Sequence, residues 1–122
     1  MLVAACGGAK KGAVAGGDPS ACEPGRCMPD ISGRIDDHRP EARECYLAGH
    51  ARDPSLQGTI VINFEIDPSG AVVDASQAMR DDQIMDAEVV DCVASVIRGI
   101  TFAASARGKA TRAFHRYEFS PP

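Results

Sequence analysis

Apolar and polar residues alternate most sharply between Gly58 and Asp67, where Ile60, Ile62, Phe64 and Ile66 interleave with Thr59, Val61, Asn63 and Glu65. That period of two predicts a strand with one buried face. Asp67-Pro68-Ser69-Gly70 follows with turn chemistry, the proline presetting its own dihedral and the glycine accepting a positive one. A second strand, about Ala71 to Met79, returns from the turn, and the adjacent Val72 and Val73 leave room for a bulge. Thr111 to Phe119 reads as a last strand, with Tyr117 and Phe119 on one side.

Two other stretches repeat at three and four. Ile31, Ile35, His38, Ala42, Cys45, Tyr46 and Gly49 share one helical face, with Asp30 placed to cap its start. Pro40 interrupts it, so this helix either kinks or restarts there. Asp53-Pro54 ends it, because a residue before proline avoids the helical region. Val89, Cys92, Val93, Val96, Ile97 and Ile100 form the stripe of a second helix, capped by Asp86, with Gly99 at its end. Asp81-Asp82 reads as helix-capping chemistry rather than a calcium site. The predicted order is helix, strand, strand, helix, strand: an α+β domain.

The 122 residues have room for one domain. Charged residues of both signs are interspersed and the net charge is −4, so nothing marks a nucleic-acid or anionic-membrane surface. There is no tryptophan to serve a base-stacking platform. No apolar stretch approaches the roughly 20 residues that span a bilayer.

Five cysteines sharpen the picture. An odd number in an exported chain leaves one with a separate fate. Leu2-Val3-Ala4-Ala5-Cys6 is similar to the lipobox of bacterial lipoproteins, which makes Cys6 the candidate lipidation site and residues 1–6 the remnant of a signal. Too little precedes Val3 for a complete signal peptide, so Met1 is read as a misassigned or truncated start. Residues 7–29 read as a Gly/Ala-rich tether that cannot bury enough surface to order itself. A flexible run of about 20 residues reaches roughly 25 Å. The remaining four cysteines pair as Cys22–Cys27, across a Pro24-Gly25 turn, and Cys45–Cys92, stapling the two helices. The competing readings are a thiol or zinc site of Cys22, Cys27 and His38, which lacks the second close ligand pair that zinc sites usually offer, and reduced Cys45 and Cys92 packed as small apolar residues. Thiol hydrolysis needs a histidine in reach of a reactive cysteine, and cysteines on apolar stripes are poor thiolates. The reading is therefore non-enzymatic, without cofactor.

Residues 31–121 carry further marks: Cys45-Tyr46 on the first helix, Asp53-Pro54-Ser55-Leu56 and Gly58 before a strand, Asp67-Pro68-Ser69-Gly70 and Val72 at a hairpin, Cys92 on the second helix, Phe102 after it, and Tyr117-Glu118-Phe119 at the end. In that order they resemble the TonB-like C-terminal domain of the AgmX/PglI gliding-motility type. Ile100 stands where that family often has tryptophan, and Ala103 and Glu118 where it often has proline. The resemblance implies that residues 30–122 form a three-stranded antiparallel sheet with two helices on one face, in the order α-β-β-α-β. It implies a protein partner in the cell envelope, bound by strand addition at the last strand; Thr111, Ala113, His115, Tyr117 and Phe119 are its candidate residues. Tyr117 and Phe119 also suit an ordinary core. The expected setting is periplasmic, anchored through a lipid on Cys6 and in the outer membrane rather than the inner. A homodimer through the edge strand and a fragment of a TonB-like energy transducer are the alternatives; the transducer's membrane helix and proline-rich spacer find no match here.

Overall fold

The computed structural model describes residues 22–78 and 83–122. The candidate lipidation residue Cys6, the tether up to residue 21, Met79 and Asp81-Asp82 lie outside the described residues. The elements are α1 (Met28–Asp37), α2 (Arg39–Arg52), β1 (Gly58–Ile66), β2 (Val72–Gln77), α3 (Ala87–Arg98) and β3 (Thr111–Phe119). The chain is α+β, with one antiparallel sheet in the order β2-β1-β3.

Among the described residues there are three helices where two were expected. The division falls at His38, whose N–H bonds back to Ile35 O at 3.0 Å, and α2 starts again with Pro40 in its first turn. A proline there forfeits no helical bond, because the first N–H groups of a helix have no partner within it. Asp30 is also not the cap. The helix begins two residues earlier, and the Asp30 carboxylate accepts from the N–H groups of Gly25 and Cys27, each at 3.1 Å.

The sheet follows the alternation. Ile60, Ile62, Phe64 and Ile66 are buried and pack in one core with Ala75, Tyr117 and Phe119 from the flanking strands and with the apolar faces of the helices. The bulge falls at Val73: Glu65 pairs with Asp74 and Ile66 with Val72, leaving Val73 unopposed and exposed. At the β1–β2 turn, Asp67 Oδ1 accepts from Ser69 N (2.9 Å) and Ala71 N (3.0 Å). Gly70 has a φ of +98°, and a Cβ there would run into the Phe102 carbonyl. The turn and the chain leaving α3 thus press backbone on backbone, with Phe102 N donating to Gly70 O at 2.8 Å.

Helices α2 and α3 are joined twice. Cys45 and Cys92 form a disulfide with their Cα atoms 5.6 Å apart. Arg52 grips Asp86 with both terminal nitrogens, at 3.0 and 3.2 Å, while Asp86 also caps α3 by accepting from Val89 N. The Arg52 guanidinium and the Val89 N–H hold the Asp86 carboxyl below its ordinary range. The buried arc of α3 is Val89, Val90, Val93, Ala94 and Ile97, not the narrower stripe through Cys92. Because α3 packs on α2 and on the sheet at once, its apolar face is wide. Cys92 lies at its margin, exposed, and reaches across to the buried Cys45.

The N-terminal loop departs most from expectation. Cys22 and Cys27 are bridged, and the loop between them is seated on the domain. Arg26 is only 4% exposed. Its guanidinium donates to the carbonyls of Asp67 (2.9 Å), Ala103 (3.0 Å), Ile66 (3.4 Å) and Lys109 (2.8 Å) and to the Thr111 hydroxyl (3.0 Å). The Glu23 carboxylate accepts from the Ser105 hydroxyl and from Arg107 N. Residues 22–27 therefore belong to the folded unit, which starts before Asp30.

Replacing Cys45 and Cys92 together by alanine should remove about 4 kcal/mol by the chain-entropy model for a loop of this length. Against a typical total of about 5–15 kcal/mol, the oxidised protein's melting temperature should fall by more than about 10 °C; an unchanged value would show the bridge bears no load. Arg26→Ala strands four carbonyls, one buried and three part-buried, and should cost about 2–4 kcal/mol, measured by urea unfolding. A loss within error of zero would mean the loop is not anchored by Arg26.

Candidate functional site: the open edge of β3

β1 is flanked on both sides, so the sheet has two edges, β2 and β3. They are not equivalent. β2 is six residues long and bulged. Its outer edge is also engaged: Arg98 of α3 donates to Ala75 O at 2.5 Å. Short length, a bulge and a charged side chain across the edge are devices that deter further strand pairing. β3 is nine residues long and pairs with β1 in unbroken register from Gly58↔Phe119 to Ile66↔Thr111.

The register decides which groups of β3 face outward. Thr59 O and Val61 O accept from Ile84 N (2.8 Å) and Ala78 N (2.9 Å), so the odd-numbered residues of β1 direct their backbone groups away from β3. The even-numbered residues then bond to β3, as antiparallel pairing alternates. Their partners are Thr111, Ala113, His115, Tyr117 and Phe119. These five, expected from the sequence to meet a partner, turn their backbone toward β1 and their side chains toward the helices. Tyr117 and Phe119 are core residues, stacked on each other at 5.6 Å and continued by Tyr46 at 5.1 Å from Phe119. The outward N–H and C=O groups belong to Arg112, Phe114, Arg116 and Glu118.

Those four residues place their side chains on the sheet face away from the helices. Phe114 is 63% exposed there. Arg112 pairs with Glu65 at 3.2 Å and Arg116 with Glu118 at 3.1 Å.

A groove of about 320 Å³ runs between the start of α2 and the C-terminal half of β3, lined by Arg39, Arg43, His115, Arg116, Tyr117, Glu118 and Phe119. Arg39 and Arg43 are one helical turn apart, a spacing visible in the sequence but meaningful only once α2 lies beside β3. Burial pushes the His115 imidazole below its ordinary pKa, opposed by Asp36 and assisted by Arg39. Burial also pushes the Tyr117 phenol up to about 12. Its hydroxyl is enclosed and has no hydrogen-bond partner among the described residues.

The thiol and metal readings lose their ligands. Cys22 and Cys27 are tied to each other, so neither offers a thiolate beside His38, whose Nδ1 instead meets Glu41 at 2.7 Å. Among the described residues no group of three His, Cys, Asp or Glu is placed to hold a metal ion.

An unmade buried hydrogen bond is a cost that phenylalanine avoids, so Tyr117→Phe should leave the fold as stable or make it more stable, by up to about 1 kcal/mol. The phenol's raised pKa gives the pH dependence its sign. Its contribution to stability is intact below the ordinary value near 10 and is lost as pH rises through about 12. Thermal melts from pH 8 upward should therefore show a shallower alkaline loss for the Phe variant; parallel curves would place the phenol in contact with water. No family model matches this chain, and comparison with curated proteins and with solved structures finds no significant similarity.

Proposed function

We propose that this protein is a non-enzymatic interaction module of the cell envelope, with a domain of the TonB-like C-terminal type, that takes up an extended segment of a partner protein as a fourth strand on β3. The observation that carries the reading is the contrast between the edges: β2 is short, bulged and crossed by Arg98, while β3 is long, regular and offers the backbone groups of four residues. Strand addition uses such an edge, with main-chain bonds giving affinity and flanking pockets giving specificity.

Two disulfides in a small domain favour an oxidising compartment such as the periplasm. A lipid on Cys6 would hold the domain at a membrane, the outer membrane in this reading, and serve an adaptor or scaffold. The four bridged cysteines are withdrawn from thiol chemistry, which supports a role by contact rather than catalysis.

Proline separates edge function from folding. The Phe114 N–H faces outward, so Phe114→Pro removes a donor that β1 does not use, and such positions tolerate proline. Photo-crosslinking from β3 in intact cells should yield a discrete adduct that Phe114→Pro abolishes and Phe114→Ala retains, with both variants melting close to the parent. An adduct that survives the proline would place the contact elsewhere than the β3 edge.

A further inference from the structure

The geometry points to a partner segment that carries carboxylates, seated in the groove between α2 and β3; the inference rests on the strand-addition reading and specifies the chemistry of the added strand. Side chains of an added strand alternate between the two sheet faces. Those on the helix side enter the groove beside Arg39 and Arg43.

Arg39, Arg43 and His115 line the helix side of this space, bordered along β3 by Arg116 and Glu118, whose side chains lie on the back face; the carboxylates of Asp36 and Glu41 stand near it on α1 and α2. Glu118 is already engaged by Arg116, and Arg39 is held at 3.0 Å by Asp36. Arg43 has no ion pair among the described residues. An arginine pair one turn apart presents donor forks suited to carboxylates. The second observation is Tyr117, a residue of the groove lining whose hydroxyl is enclosed without a partner among the described residues. It is buried, unpartnered and protonated over the whole physiological range, so it is a donor lacking an acceptor. A carboxylate is an acceptor only; it suits the arginine forks directly and meets the enclosed phenol once binding uncovers it. A second copy of this chain fits less well: pairing β3 with itself would bring two sets of Arg39, Arg43 and Arg116 toward each other, and like charges across a pair destabilise it.

The probe is a synthetic peptide spanning β3, threonine alternating with glutamate so that all carboxylates fall on one face, together with its glutamine isostere. Both are titrated into isotope-labelled, disulfide-intact protein while backbone amide shifts are followed. The expected result is shifts at Arg112, Phe114, Arg116 and Glu118 with the acidic peptide about tenfold or more tighter than the isostere. Arg39→Gln with Arg43→Gln should erase that preference while leaving the isostere's binding unchanged, which also shows that the variant is folded. Tyr117→Phe should weaken the acidic peptide selectively, an effect that a purely packing role would not produce.

Equal affinities for the two peptides, both abolished by Phe114→Pro, would overturn the carboxylate preference and leave strand addition standing. Acidic-peptide binding that ignores Phe114→Pro would instead overturn the strand seat, reducing the interaction to loose pairing with arginines. If neither peptide moves the β3 amides, the groove is not a peptide site and the inference fails.

Discussion

The inner face of β1 is the constraint on which the rest of the structure depends. Ile60, Ile62, Phe64 and Ile66 are essentially inaccessible to solvent, and each such side chain contributes about 1.5–3 kcal/mol on burial. A strand that must hide four consecutive inward residues has to be central, paired on both sides and roofed by helices. β2 and β3 supply the pairing; α2 and α3 supply much of the roof. The links between those helices, Cys45–Cys92 at mid-helix and Arg52–Asp86 where α2 ends and α3 begins, hold the roof together.

Roofing one face leaves the sheet with two edges and an open back, and the molecule treats its edges differently. The bulge at Val73 disturbs β2, and Arg98 lays a guanidinium on the carbonyl of Ala75. α3 therefore blocks one edge with the same element that covers the core. Among the described residues β3 receives no comparable device; Arg112, Arg116 and Glu118 stand along it with their side chains on the back face. An edge left regular for nine residues carries the risk of unwanted pairing.

The loop before α1 shows how much a short polar segment can do once it is anchored. A buried guanidinium is costly unless its donors are met. Arg26 meets its terminal donors with carbonyls from the β1–β2 turn and from the chain between α3 and β3, two parts of the chain distant in sequence, while its Nε has no partner among the described residues. The bridge between Cys22 and Cys27 limits the freedom of the loop that presents it. Nothing in Glu23-Pro24-Gly25-Arg26 distinguishes an anchored arginine from a solvated one, since the difference lies in carbonyls contributed some 40 and 80 positions away.

What the sequence determined by itself was local. The alternation of β1, the Asp67–Gly70 turn, the bulge at adjacent valines, the caps at Asp53 and Asp86 and the limits of β3 all follow from periodicity and turn chemistry, which act within a few residues. The two cysteine pairings were expected from position along the chain, but four cysteines allow three connectivities and the fold selects among them. Tertiary structure decided the rest. It set the division at His38, the rotation of α3 that leaves Cys92 exposed, the seating of Arg26, the blocking of β2 and the meeting of Arg39 and Arg43 with β3. It also reversed the assignment of the edge: side-chain patterning marks Thr111, Ala113, His115, Tyr117 and Phe119, but hydrogen-bond register turns their backbone inward and exposes that of Arg112, Phe114, Arg116 and Glu118. Side-chain period is written in the sequence, whereas the direction of a backbone group depends on which residue of another strand lies opposite it.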